Sequence, residues 1–226
     1  MTGKKGQGRD LEGELKGRAT VHTLSSTSVM VLGTIKGLVS ERTLVRKAAD
    51  VHSPDVIALH VSKEELKGLK AVASGKVKNT YLSSYEKVYA RELSRFGEVQ
   101  IPPPSLVESL EIAQDLELPL AHLDYGDEKY SSIYTRHVDG MTMIRQSLRL
   151  KRVNKRKFRS ETAEDFVMEW DEVANKLRGF RKLEESRERR MASRIDKLSD
   201  KYVRILAVVE LERRDGIVRS LVEKME

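Results

Sequence analysis

A chain of 226 residues, 39% apolar and 34% charged, is the right size for one domain with a helical extension, and it is too apolar and too periodic for a disordered segment. The absence of cysteine excludes disulfides, thiolate metal sites and cysteine nucleophiles, and agrees with a reducing, cytoplasmic setting. Lys and Arg number 42 against 35 Asp and Glu, a net charge of +7 that favours anionic partners, yet acids interleave with bases almost throughout, as on an ordinary charged surface.

The start, MTGKKGQGRDLEGELKGR, is basic but has no apolar stretch behind it, so residues 1–18 are expected to be a flexible basic tail rather than a secretory signal. The glycines and lysines of residues 3–8 lack phosphate-loop spacing and a preceding strand. No apolar run approaches the ~20 residues of a membrane span, so no membrane association is expected. Residues 19–226 are expected to be the folded domain.

Residues 19–24 (ATVHTL) alternate and are β-branched, predicting a half-buried strand. Residues 25–28 (SSTS) predict a turn, and 29–32 (VMVL) a buried strand ending at Gly33. Residues 40–51 predict a helix capped by Ser40, with Leu44, Val45 and Ala48 inward and Pro54 beyond its end. Residues 55–59 (DVIAL) read as a second buried strand, and Ser62 with Glu64 and Glu65 opens another helix. Strand, helix, strand is a βαβ unit with parallel strands and a right-handed crossover. Binding sites in such sheets form past the carboxyl ends of the strands, where Lys36 and His60 both lie.

Further along, a helix over 82–96 stops at Gly97, and 98–101 reads as a short strand before Pro102, Pro103 and Pro104. Ser105 is expected to cap a helix running to about Leu116, and 119–123 predicts a strand ending at Asp124-Tyr125-Gly126-Asp127. Residues 128–157 read as mainly helical with a break at Asp139-Gly140. Ser160 is expected to cap a helix carrying Phe166, Val167, Trp170, Val173 and Leu177 at helical spacing. Residues 183–198 continue the helical region, 203–209 form the last buried strand, and 216–224 the last helix. The fold class is therefore α/β: a central, mostly parallel or mixed sheet flanked by helices, with a helical segment before the last strand.

Two separated stretches carry a resemblance. VMVLGTIKGLVSE followed by SPDVIALHVSKEEL is similar to the opening of the TraB/PrgY family, a relative of the TIKI and GumN-type proteins. EESRERRMASRIDKL and YVRILAVVELERRDGI resemble that family's later helix and its closing strand and turn. Gly33, Thr34, Pro54, Asp55, Arg187, Met191 and Gly216 keep the family pattern. Where the resemblance implies two metal-site histidines and a glutamate, this chain has Lys36, Arg213 and His60, and Glu210 and Glu212 replace a pair of glycines. The resemblance thus implies a sheet flanked by helices. A protonated lysine and an arginine only donate hydrogen bonds, so the substitutions argue against the metal-dependent hydrolysis it would otherwise imply. No metal, cofactor or catalytic residue is assigned.

Lys36, His60, Arg187 and Arg213 are expected to form a positive cluster that holds a phosphate, nucleotide or carboxylate, or else to be solvated strand ends balanced by Glu188, Glu210 and Glu212. Asp124 and Asp127 are a candidate acid–base or cation pair, or else turn residues. The run from Arg145 to Arg159 is nearly free of acids, and Arg149, Lys151, Arg152, Lys155, Arg156 and Lys157 are candidate nucleic-acid contacts, or else a solvated helix end. Three functions are carried forward. The first is a non-catalytic TraB-like domain acting by binding, in a regulatory or interaction role, with a protein partner, a second copy of the chain or an anionic ligand. The second is a metal-independent enzyme acting on an anionic substrate with Lys36 or His60 as acid–base group. The third is a nucleic-acid-binding protein.

Overall fold

The computed structural model of the protein describes residues 13, 15, 17–73, 83–153 and 156–223. Most of the expected tail, including the glycine- and lysine-rich residues 3–8, lies outside the described residues. At the described end of that tail, Leu15 is buried and Arg18 is anchored to Glu41 and Glu164 at 2.6 and 2.7 Å.

Strand β1 (Ala19–Leu24) turns at Ser25 and Ser26 into β2 (Thr27–Thr34), and the two pair antiparallel. The left-handed φ of 53° at Ser25 closes this tight hairpin. Helix α1 (Glu41–His52), β3 (Val56–Leu59) and α2 (Lys63–Ala73) follow. Next come α3 (Ser84–Leu93), α4 (Pro104–Asp115), β4 (Leu120–His122), α5 (Asp127–His137) and α6 (Gly140–Val153). The last elements are α7 (Ala163–Ala174), α8 (Arg178–Ser199), β5 (Arg204–Glu210) and α9 (Leu211–Val222). The sheet order is β1-β2-β5-β3-β4, parallel throughout except for the β1–β2 pair. The chain is an α/β protein with a mixed sheet flanked by helices and a helical segment before the last strand, as its sequence pattern predicts. Among the described residues, no helix is long and apolar enough to cross a membrane.

Alternation of side chains along the central strands builds two cores. Met30, Leu32, Ile57, Leu59, Leu206 and Val208 face one way and pack under α1, α2 and α4. Val29, Val31, Val56, Ala58, Ile205, Ala207 and Val209 face the other way and pack against α8 and α9. Covering both faces explains why the central strands are apolar runs rather than alternating ones. A third apolar cluster sits beyond the carboxyl ends of the strands, where Ile35, Leu38 and Leu211 meet Val88 and Leu93 of α3 and Phe166, Val167 and Trp170 of α7. Its location matters for function, because it roofs the place where such sheets bind ligands.

The Gly33-Thr34-Ile35-Lys36 motif is built around this junction. A Cβ on Gly33 would lie 2.9 Å from Leu211 Cδ1 and 3.1 Å from Leu211 Cα, so only glycine lets the start of α9 press onto β2. Thr34 Oγ1 donates to Val209 O at 3.1 Å, binding the end of β2 to β5. The Ile35 amide donates to Glu41 Oε2 at 3.0 Å, and Gly37 takes a φ of 104° that turns the chain away. Gly33→Ala is expected to destabilise the fold by about 1–3 kcal/mol through overpacking, seen as a lower urea midpoint. An unchanged midpoint would mean that α9 can withdraw freely. Asp55 has a parallel role at the opposite ends of the strands, accepting from the Arg204 amide at 2.8 Å and the Val203 amide at 3.2 Å.

Several local expectations are corrected. Residues 98–101 form no ladder strand; Val99 makes a single bridge to Leu38, and the prolines that follow prevent more. Ser105 lies inside α4, which starts from Pro103 and Pro104 because proline's fixed φ suits a first turn. Thr162, not Ser160, caps α7 by accepting from the Asp165 amide, while Ser160 donates to Glu169 at 2.8 Å. Ser40 sits at the cap of α1 without a side-chain cap bond, whereas Ser62 and Glu65 exchange reciprocal bonds at the start of α2. The last helix begins at Leu211 directly after β5, so Gly216 lies within it rather than at its start.

Candidate functional site

Four side chains expected to cluster are brought toward one end of the sheet by three strands. Lys36 follows β2, His60 follows β3, and Arg213 lies in the first turn of α9 after β5; Arg187 reaches the same end from α8. Their positive charges act together on the carboxylate of Glu210, the last residue of β5. The anion at the centre of the cluster is therefore part of the protein.

Each of the four side chains also has its own surroundings. His60 is buried, and its Nδ1 lies 3.1 Å from Val208 O. A carbonyl only accepts, so this nitrogen carries its hydrogen and Nε2 faces Glu210 Oε1 at 3.8 Å. Arg187 donates to Asp124 Oδ2 from Nε and Nη2 at 2.9 and 2.6 Å, and to Glu184 at 2.8 Å. Arg213, only 7% exposed, is held by Asp171, by Glu188 at 2.9 Å and by Glu184 at 3.9 Å. Lys36 alone is exposed. The expected open basic site is thus a network of alternating charges in which the arginines are structural ties.

Asp124 and Asp127 do not act as a pair. Asp124 is buried under Arg187, whereas Asp127 is exposed in the first turn of α5, where a negative charge favours the helix N-terminus.

Between the ends of β2 and β5, α3 and α7 lies a cavity of about 350 Å³. Tyr85, Tyr89 and Trp170 supply aromatic walls, and Val99, Ile101, Pro102 and Pro103 supply aliphatic ones. The Tyr85 and Tyr89 rings pack 4.5 and 5.3 Å from Trp170, centroid to centroid. Lys36, Glu86, Gln100, Glu210 and Glu212 complete the lining. The tyrosines are one helical turn apart on α3, and Trp170 is presented by the apolar face of α7. Burial raises the proton affinity of both tyrosine hydroxyls, so they stay neutral.

The two glutamates at the end of β5 differ sharply. Burial alone would raise the Glu210 carboxyl, but His60, Lys36, Arg187 and Arg213 outweigh it and hold the group well below the usual carboxylate range. Glu212 is pushed up to about 8, first by burial and then by the neighbouring Glu210 charge, against weaker opposition from Arg213. At neutral pH the site therefore pairs an ionised carboxylate with a protonated one. Among the described residues no group of three or more His, Asp or Glu is placed to hold a metal ion.

The aromatic walls and the split glutamate pair are the parts that sequence reasoning missed. The i, i+4 spacing of Tyr85 and Tyr89 was a usable signal, whereas their meeting with Trp170 is a long-range event.

The candidate nucleic-acid run is divided by the fold. Arg149 donates to Val173 O at 3.2 Å, Arg156 pairs with Glu169 at 2.6 Å, and Phe158 is buried in the aromatic cluster. Lys151, Arg152 and Lys157 are exposed, and Lys155 lies outside the described residues. Met141, Ile144 and Leu148 are exposed on α6, so the helix presents apolar side chains to solvent alongside its bases.

No model of a known protein family matches this chain, and no curated protein matches it.

Proposed function

We propose that this chain acts by binding a small ligand in the cavity over the carboxyl ends of β2 and β5, as a TraB-like domain made non-catalytic by its departures from the family pattern at Lys36, His60 and Arg213. The observation that carries this reading is the cavity itself. It is large enough for a small molecule and mostly apolar with a few convergent charged groups, and it lies where parallel sheets place their ligands. Against metal-dependent hydrolysis stands the identity of Lys36, His60 and Arg213 at the positions that the resemblance would make ligands and catalytic groups. Arg213 is also tied to three carboxylates.

One observation favours metal-independent catalysis as a second reading. Two carboxyls with opposed proton affinities can divide the roles of general base and general acid, Glu210 and Glu212 here in place of the expected Lys36 or His60.

Ligand-observed NMR with a library of small charged and zwitterionic molecules separates the two. The expected result is a set of mutually competing binders, lost in Tyr89→Ala and returned chemically unchanged after prolonged incubation. Consumption of a binder, abolished in Glu212→Gln, would establish catalysis instead. Tight binding of zinc or manganese in calorimetry would overturn both readings.

A further inference from the structure

We propose that the aromatic cavity is a receptor site for a small organic ammonium ion, which serves as a counterion for Glu212. This assignment rests on the binding reading above and specifies the ligand's charge.

The charges lining the cavity lead to it. Glu86 is used locally, exchanging bonds with Ser83 in the capping box of α3. Glu210 has His60 at 3.8 Å and the field of Lys36, Arg187 and Arg213. Glu212 makes no ion pair among the described residues. Among the described residues Lys36 is the sole basic side chain of the lining, and it is exposed. An entering anion would meet two glutamates and would have to displace Glu210 from the cations that already surround it. An entering cation would meet an uncompensated carboxyl and the rings of Tyr85, Tyr89 and Trp170. Aromatic rings attract ammonium groups through their quadrupoles, most strongly where water is excluded.

The same groups set the pH response. Glu212 is faced by Glu210 from β5, Asp171 from α7, Arg213 on its own helix, Tyr85 and Tyr89 from α3, and Lys36 from the loop after β2. The two acids, together with burial, keep a proton on Glu212 at neutral pH, and Arg213 opposes them more weakly. A bound ammonium ion takes over the role of that proton, so binding releases about one proton and strengthens as pH rises toward 8.

Trp170 is the only tryptophan of the chain, so its emission reports directly on the cavity. The protein is titrated with tetramethylammonium and n-butylammonium chloride, with sodium chloride at equal ionic strength as the blank and sodium phosphate as the anion arm. The expected result is a saturable change with an ammonium salt, no change with phosphate, and affinity rising up to about tenfold per pH unit between pH 6 and 8. Glu212→Gln should weaken binding at least about tenfold at pH 8.5 and flatten the pH response. Lys36→Gln, at an exposed position, should tighten it. The assignment is overturned if neither ammonium salt gives a saturable change, or if Lys36→Gln weakens ammonium binding. Saturable phosphate binding without ammonium binding would also overturn it, while leaving the reading of the cavity as a binding site intact.

Discussion

Arg213→Ala is expected to lower folding stability by about 3–5 kcal/mol, the usual cost of removing one partner from a buried charge network. Arg213 is 7% exposed, and its partners Glu184 and Glu188 are 13% and 14% exposed, so water cannot replace the guanidinium. The loss leaves Asp171, Glu184 and Glu188 without the cation they share, while Arg187 still pairs with Glu184. Urea denaturation at pH 7 measures the effect, and a loss below about 1 kcal/mol would show the network to be solvated. Burial already raises the Glu184 and Glu188 carboxyls above their ordinary values. In the variant they should rise further and take up protons, so its deficit should shrink as pH is lowered toward 5. Arg213→Lys keeps the charge but not the fork of donors and should fall between the two.

The second large effect is a loss of stability in mild alkali. Glu212 holds its proton up to about pH 8 in the folded protein, against an ordinary value of 4.5. The folded state therefore binds this proton more tightly than the unfolded chain. The stabilisation is complete below 4.5 and is lost as pH rises through 8. The whole effect is on the order of 5 kcal/mol, since each pH unit corresponds to about 1.4 kcal/mol, and about 1.4 kcal/mol of it is lost between pH 7 and 9. Glu210 works in the opposite sense, but its window lies below 4.5. Burial lowers the proton affinity of His52 and His122, and their windows lie below 6.5. Chemical denaturation at pH 7 and pH 9, compared between wild type and Glu212→Gln, reads the contribution of Glu212. Wild type should lose stability between the two, and Glu212→Gln should lose much less and be the more stable protein at pH 9. Parallel pH profiles for the two proteins would mean that Glu212 is ionised throughout.

The pattern of legibility follows the range of the forces involved. The buried strands at Val29–Leu32, Val56–Leu59 and Ile205–Val209 are continuous β-branched and aliphatic runs, so the α/β class could be read from local sequence. Helix starts were readable where a side chain bonds its own helix, as at Ser62, and misread where proline or a nearby threonine performs that role, as at Ser105 and Ser160. Lys36, His60, Arg187 and Arg213 were identifiable as a group, and the fold does direct them at one place. Glu188 and Glu210 were named beside them as balancing acids, whereas Asp124, Asp171 and Glu184 were not, because acids are spread along the whole chain and only tertiary packing selects these three. The aromatic cavity was invisible for the same reason, since Trp170 reaches Tyr85 and Tyr89 only after α7 docks on α3.

The position of β5 imposes an order on biosynthesis. It lies between β2 and β3 but follows both by well over a hundred residues, and the Thr34–Val209 bond joins residues 175 positions apart. While the polypeptide is being made, β2 and β3 have no common neighbour, and each must wait with an open edge until residues 204–210 have emerged. During that interval the two apolar faces have no sheet to complete, and the nascent chain depends on its hairpin and helices to avoid pairing with other molecules. Arrival of β5 closes both gaps at once and brings Glu210 and Glu212 with it, so the ligand cavity cannot exist before the sheet does.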